Sequence, residues 1–156
     1  LREIIMLNKK RTIKPKLNIK DISNKGRITS QRALHIAEDL SWNYGSDVVV
    51  YDVREKSPFV SYFVVCSAVN KERLKALYNA ARETLYDNYK TIDHTEGRND
   101  SQWILIDAKD IVIHLFTKDE REHFALDERY LDCPHKVVKA LKEPVYRKKK
   151  RAPSQA

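Results

Sequence analysis

Residues 96–116 read EGRNDSQWILIDAKDIVIHLF, and their pattern decides the fold. Two apolar runs, 103–107 and 111–116, are rich in the β-branched and aromatic residues that favour strands, and the short span between them fits a tight turn. The stretch therefore predicts a β-hairpin. Its polar side chains are unusual: Trp103 at the start of the first strand, Asp107 and Asp110 flanking the turn, and His114 inside the second strand. Alternation along a strand puts His114 on the same face as Val112 and Phe116, opposite Ile113 and Leu115. A half-buried hairpin usually carries Lys, Glu and Thr on its outer face. The departure from that filler makes this hairpin the expected recognition surface. Trp103 reads equally well as core filler or as an interface anchor.

Working outward, Ala33, Ala37, Leu40 and Tyr44, flanked by Leu34 and Ile36, form one apolar stripe. They predict a helix capped by Thr29 or Ser30 and ended by Gly45. Residues 48–53 and 62–66 read as strands, antiparallel to each other because the link through Ser57-Pro58 is short. Asn70 is placed to cap a long helix whose Leu74, Leu77, Tyr78, Ala81 and Leu85 recur at helical spacing. Residues 91–94 predict a short strand before the hairpin. Thr117 and Glu120 have capping-box spacing for a third helix with Phe124 and Leu126 inside. Residues 135–141 read as a last short helix. The predicted fold is α/β, a mixed five-stranded sheet with flanking helices in the order α-β-β-α-β-β-β-α.

Charge divides the 156-residue chain into three. Residues 1–29 hold nine Lys/Arg and two acids, and residues 141–156 hold six and one; the body between holds 15 and 19. The predicted organisation is a basic arm at 1–29, one domain at 30–142 and a basic tail at 143–156. Basic arms suit RNA, through release of its counterions, whereas an acidic body suits a basic protein. The tail residues Arg147, Lys148, Lys149, Lys150 and Arg151 are the candidate RNA contacts. A purely solvated tail is the plainer alternative.

Cys66 lies in an apolar strand and reads as a buried small side chain. Cys133 and His135 have no second ligand pair at metal spacing, so neither a metal nor a disulfide framework is expected. No apolar run reaches the roughly 18 residues a membrane span needs. The start has too short an apolar stretch for a secretory signal. It is basic, as organelle-targeting segments are, but has little Ser. A reducing cytoplasm is the expected compartment.

Enzyme chemistry finds little support. With only three glycines, the chain has neither a dinucleotide fingerprint nor a phosphate loop. Ser101, His114 and Asp107 could be drawn as a triad, but no nucleophile elbow surrounds Ser101. Asp107 and Asp110 could hold a cation, though aspartates beside turns more often bond nearby amides.

Four segments together resemble the ribosomal silencing factor family, also called Iojap-like. They are DVVVYDVREKS, SYFVVCSAVNKER, the 96–116 hairpin with Glu96, Gly97, Trp103, Asp107, Asp110, Val112, His114 and Phe116, and DEREHFALDERYLD with Arg121, Phe124 and Leu126. The chain departs from the family pattern at Ser61, Ser67-Ala68, Asn70 and the 126–130 end, which closes on Tyr130. The resemblance covers 30–132 and leaves the arms outside. It implies a nucleotidyltransferase-like fold without that fold's Gly-Ser and paired metal-binding carboxylates. It also implies a non-enzymatic repressor of translation with no cofactor. Such a protein binds the large ribosomal subunit through a ribosomal protein at the subunit-joining face and blocks the small subunit. The partner-binding residues it implies are Trp103, Asp107, Ala108, Asp110, Val112, His114, Arg121 and Tyr130. Monomer and homodimer both stay open. The rival readings are a nucleotidyltransferase-like enzyme and an RNA-binding ribosome-assembly module.

Overall fold

A computed structural model of the chain describes residues 24–89, 94–97 and 100–139. Helix α1 is Asn24–Trp42, followed by β1 (Ser46–Asp52) and β2 (Tyr62–Ala68). Helix α2 is Lys71–Thr84 and runs into a π-helical turn, Leu85–Tyr89. Strands β3 (His94–Glu96), β4 (Trp103–Ala108) and β5 (Ile111–Thr117) come next, then α3 (Lys118–Phe124), α4 (Leu126–Tyr130) and β6 (His135–Val138). The six strands form one sheet in the order β3-β4-β5-β2-β1-β6. Only β2 and β5 pair in parallel; the other four pairings are antiparallel.

The sheet is mixed and helix-flanked as expected, with one strand more. The predicted helix at 135–141 is instead β6 over the described part, paired antiparallel to β1 through Val48–Val138 and Tyr51–His135. Two β-branched valines and a preceding proline fit an extended chain, and the free edge of β1 supplies the hydrogen-bond ladder. Two other boundaries differ. Helix α1 already runs from Asn24, so Thr29 is a buried position within it and not at its start. The third predicted helix is broken in two by Ala125, whose φ of 54° is left-handed. The expected strand at 91–94 is found at 94–96, and residues 91–93 lie outside the described residues. So do most of the N-terminal arm and all of the tail, including Arg147–Arg151.

The two faces of the sheet carry separate cores. Val48, Val50, Tyr62, Val64, Cys66, Ile104, Ile106, Ile113 and Leu115 pack under α1 and α2. The helices contribute Ala33, Ile36, Ala37 and Leu40, and Leu74, Leu77, Tyr78, Ala81 and Leu85. The predicted stripes are therefore inside, except Tyr44, which is 75% exposed with a left-handed φ of 68° beyond the helix end. Gly45 is required for close approach. A Cβ there would collide with Cys66 Sγ and the Leu40 carbonyl, so only glycine lets the end of α1 lie on β2. Asn70 caps α2 as expected, its side chain accepting from the Arg73 amide at 2.8 Å.

The other face holds Val49, Tyr51, Val53, Phe63, Val65, Trp103, Leu105, Val112 and Phe116 beneath α3 and α4, which add Leu126 and Tyr130. The hairpin is consequently covered on both faces: every residue of β5 is buried, as is all of β4 but Asp107. The expectation of a half-exposed hairpin surface fails here. β5 is an inner strand between β4 and β2, and inner strands covered on both sides read as continuous apolar runs.

Candidate functional site

The second face of the sheet gathers most of the singled-out residues. Trp103 is 3% exposed; its ring stacks on Phe116 at 4.8 Å and meets Phe124 at 4.3 Å between centroids. Its indole Nε1–H donates to His114 Nδ1 at 3.3 Å. The register explains the meeting: Trp103 pairs with Phe116 and Leu105 with His114, so Trp103 and His114 are diagonal neighbours on one face. His114 is fully buried, with Phe63 edge-on to its ring at 4.7 Å and Phe116 stacked at 6.0 Å. Tyr130, 2% exposed, closes the cluster against Phe63 at 5.0 Å.

Since Nδ1 accepts the indole proton, neutral His114 carries its own proton on Nε2. That atom has no hydrogen-bond partner among the described residues. Burial in this aromatic shell pushes the imidazole down to a pKa of about 3, with Asp127 opposing only weakly. The unfolded chain takes up the proton near 6.5, so this histidine favours folding least in acid. Stability due to His114 should be intact above about pH 6.5 and fall by about 1.4 kcal/mol per unit below it, down toward the folded value. Denaturant melts of the wild type and His114→Gln at pH 7.5, 6.0 and 5.0 should show the substitution flattening that decline. Equal slopes would remove His114 as its source.

A polar clamp lies beside the aromatic cluster. Arg121 grips Asp127 with both ends of its guanidinium, Nε to Oδ2 at 2.8 Å and Nη2 to Oδ1 at 2.9 Å. Its Nη1 also donates to the Asp47 carbonyl at 2.6 Å and Ser67 Oγ at 2.9 Å. The Tyr51 hydroxyl donates to Asp127 Oδ1 at 2.5 Å. Burial works against both charges, but their mutual hydrogen bonds prevail: Asp127 is held below and Arg121 above its usual pKa. Burial and the Asp127 bond raise the Tyr51 phenol. One side chain thereby ties α3 and α4 to β1 and β2 across the kink at Ala125. Asp127, Tyr51 and Ser67 were not predicted as site residues. The only hint was an acid six residues after Arg121.

The predicted partner-binding set thus divides. Trp103, Ala108, Val112, His114 and Tyr130 are buried in this fold, none more than 6% exposed. Arg121 is committed to the clamp, with 11% of its side chain exposed. Asp107 and Asp110 are partly exposed and lie outside the clamp, at the β4–β5 turn around exposed Lys109. Asp107 Oδ1 accepts from the Lys109 amide at 3.0 Å, which fits the left-handed Lys109 at φ 66°. The Asp110 carbonyl accepts from Ser61 and Tyr62, fixing the turn against the start of β2. Asp107 thus has the turn role expected of such an aspartate, whereas the Asp110 bonds are made by its backbone. Ser101 Oγ bonds the Trp103 backbone and not His114, so no triad forms. Among the described residues no three His, Cys, Asp or Glu side chains cluster to hold a metal, and no helix is long and apolar enough to cross a membrane. Near this face also lie Leu131, 66% exposed, and the half-buried Arg129, whose guanidinium lies 4.5 Å over the half-buried Phe124 ring.

Comparison with known proteins identifies relatives. Residues 27–156 match the family described as "Ribosomal silencing factor during starvation". The chain is 27% identical over 88 residues to the ribosomal silencing factor of Bacillus subtilis, covering 56% of this chain and 75% of that protein. It is 28% identical over 94 residues to that of Haemophilus influenzae, covering 60% and 91%. The chloroplastic protein Iojap of Arabidopsis thaliana is 24% identical over 98 residues, 63% of this chain and 41% of that one. In fold, the chain is similar to a crystal structure of a Chromobacterium violaceum protein, with a TM-score of 0.60 and 23% identity over 74% of this chain and 95% of that one.

Proposed function

The chain belongs to the ribosomal silencing factor family, and on that premise we propose that it binds the large ribosomal subunit and keeps it from joining the small one. The observation that carries this reading is the match over residues 27–156, which takes in the whole sheet and both its helical layers. The binding surface assigned to the protein is the subunit-joining face of the large subunit, through a ribosomal protein located there. The mechanism is mutual exclusion. Two partners require one surface, so repression of translation rises with the chain's concentration and affinity and needs no catalytic step.

The charge distribution supports the assignment. Residues 30–140 hold 19 acids against 15 Lys/Arg, which suits a basic ribosomal protein, while the flanking basic arms suit the RNA around it. Within the site, Asp107 and Asp110 at the hairpin turn are the side chains able to touch the partner. Trp103, Val112, His114 and Tyr130 hold the sheet behind them. The tail, Arg147 to Arg151, is assigned to ribosomal RNA. The place of action is the cytoplasm, with the ribosomes themselves.

Sedimentation through a sucrose gradient tests the reading. The chain, added to separated subunits, should travel with the large subunit and not with the small one. Equal recovery with both subunits would overturn it. Deletion of residues 143–156 should weaken the association and flatten its salt dependence while leaving the preference for the large subunit intact.

A further inference from the structure

We propose that the flank of α2 formed by Lys71, Lys75, Tyr78 and Arg82 binds a phosphate-bearing nucleotide. These residues lie at i, i+4, i+7 and i+11, a spacing that lines them up along one side of a helix. Lys71, Lys75 and Arg82 are exposed, and among the described residues none of them has a carboxylate at ion-pair distance. The contrast is with Arg54, Lys56 and Arg121, each of which holds an aspartate. Lys71, Lys75 and Arg82 thus form a row of cations on one helix flank that no carboxylate among the described residues neutralises by direct contact.

The two lysines open onto a cavity of about 440 Å³ between α2 and the start of β4. That volume lies in the range of small-ligand sites, roughly 300–1,000 Å³. Leu74, Tyr78 and Ile104, each less than 10% exposed, form the apolar floor of the cavity, against which the edge of a base could rest. The Arg82 guanidinium lies 5.5 Å over the Tyr78 ring, extending that surface with a cation. The Asn79 amide at the wall can both donate to and accept from a base edge. Two carboxylates, Glu72 and Asp100, also face the cavity. They disfavour a bare phosphate but accept hydrogen bonds from sugar hydroxyls. The full set therefore fits phosphate, sugar and base together. An acidic peptide would satisfy the lysines and leave the flat apolar surface unused.

The inference rests on the ribosomal reading only for its source, an unpaired nucleotide of an RNA loop beside the protein partner; a free nucleotide has the same chemistry. The test uses the full chain, a labelled single-stranded oligoribonucleotide followed by anisotropy, and AMP and GMP followed by methyl NMR of Leu74 and Ile104. The expected result is a shift of both methyl sets, and weaker binding by K71E/K75E. Loss of two phosphate contacts should lower the slope of log K against log salt by about 1.4 on a single strand. The control K118E/K136E, which reverses two exposed lysines elsewhere, should lose much less. Binding of the oligonucleotide alone identifies RNA as the source; binding of mononucleotides as well identifies a soluble nucleotide site. Equal losses in both variants, unmoved methyls, or shifts with an acidic peptide and not with nucleotide would overturn the proposal. A K71E/K75E chain that still sediments with large subunits leaves the ribosomal assignment standing on its own.

Discussion

Trp103→Ala is expected to lower the stability of the domain by about 3–5 kcal/mol, the cost typical of removing a buried aromatic side chain. Three losses combine. The indole is 3% exposed and packs between Phe116 and Phe124, so its removal leaves a cavity under α3. The Nε1–H bond to His114 disappears, leaving both ring nitrogens of a fully buried imidazole without partners. The Phe124 ring beneath the Arg129 guanidinium then loses the indole tilted against it. Urea melts followed by far-ultraviolet circular dichroism measure the change. A loss under about 1 kcal/mol, together with impaired ribosome binding, would instead make Trp103 a surface anchor that the packing described above does not allow. Trp103→Phe separates the terms, because it keeps most of the ring contacts and removes only the donor.

The second large effect belongs to the clamp. Arg121→Ala should cost about 2–3 kcal/mol, somewhat less than breaking a fully buried pair, because a third of the Asp127 side chain still meets solvent. The substitution strips Asp127 of both guanidinium bonds and frees the Asp47 carbonyl and Ser67 hydroxyl at once. Arg121→Lys should recover only part of the loss, since a single ammonium cannot reproduce the two-point grip. The clamp also has a pH signature. Asp127 is depressed in the fold, so its contribution is present above the ordinary aspartate pKa and disappears as pH falls through the lower folded value. That window begins at the acid end of the one in which His114 acts. A double-mutant cycle with Asp127→Asn measures the coupling, and strict additivity of the two single losses would mean that the pair acts independently.

How far the sequence carried these assignments differs from element to element. Strands β2, β4 and β5 were legible because strands covered on both faces are written as unbroken apolar runs. Helix α2 was legible because its buried residues recur with helical period. Strand β6 was not: four residues at a sheet edge carry no period, and their strand state comes from the partner edge of β1. The break at Ala125 was hidden for a similar reason, since alanine ordinarily favours helix and tertiary contacts hold it left-handed. At the site, the combination of Trp103 and His114 stood out in the sequence as unusual. Its meaning turned on what covers that face. The cover is α3 and α4, 12 residues whose docking depends on Arg121 reaching Asp47 and Ser67 and on Asp127 meeting Tyr51, 76 positions away. Contacts of that separation leave no local trace in one sequence.

The most direct test of the ribosomal assignment is subunit joining itself. Large subunits are incubated with increasing amounts of the chain, small subunits are then added, and light scattering reports the joined fraction. Mutual exclusion predicts that joining falls in step with the occupancy of the large subunit, and that excess small subunit partly restores it. Large subunits saturated with the chain that still join small subunits to the full extent would contradict it.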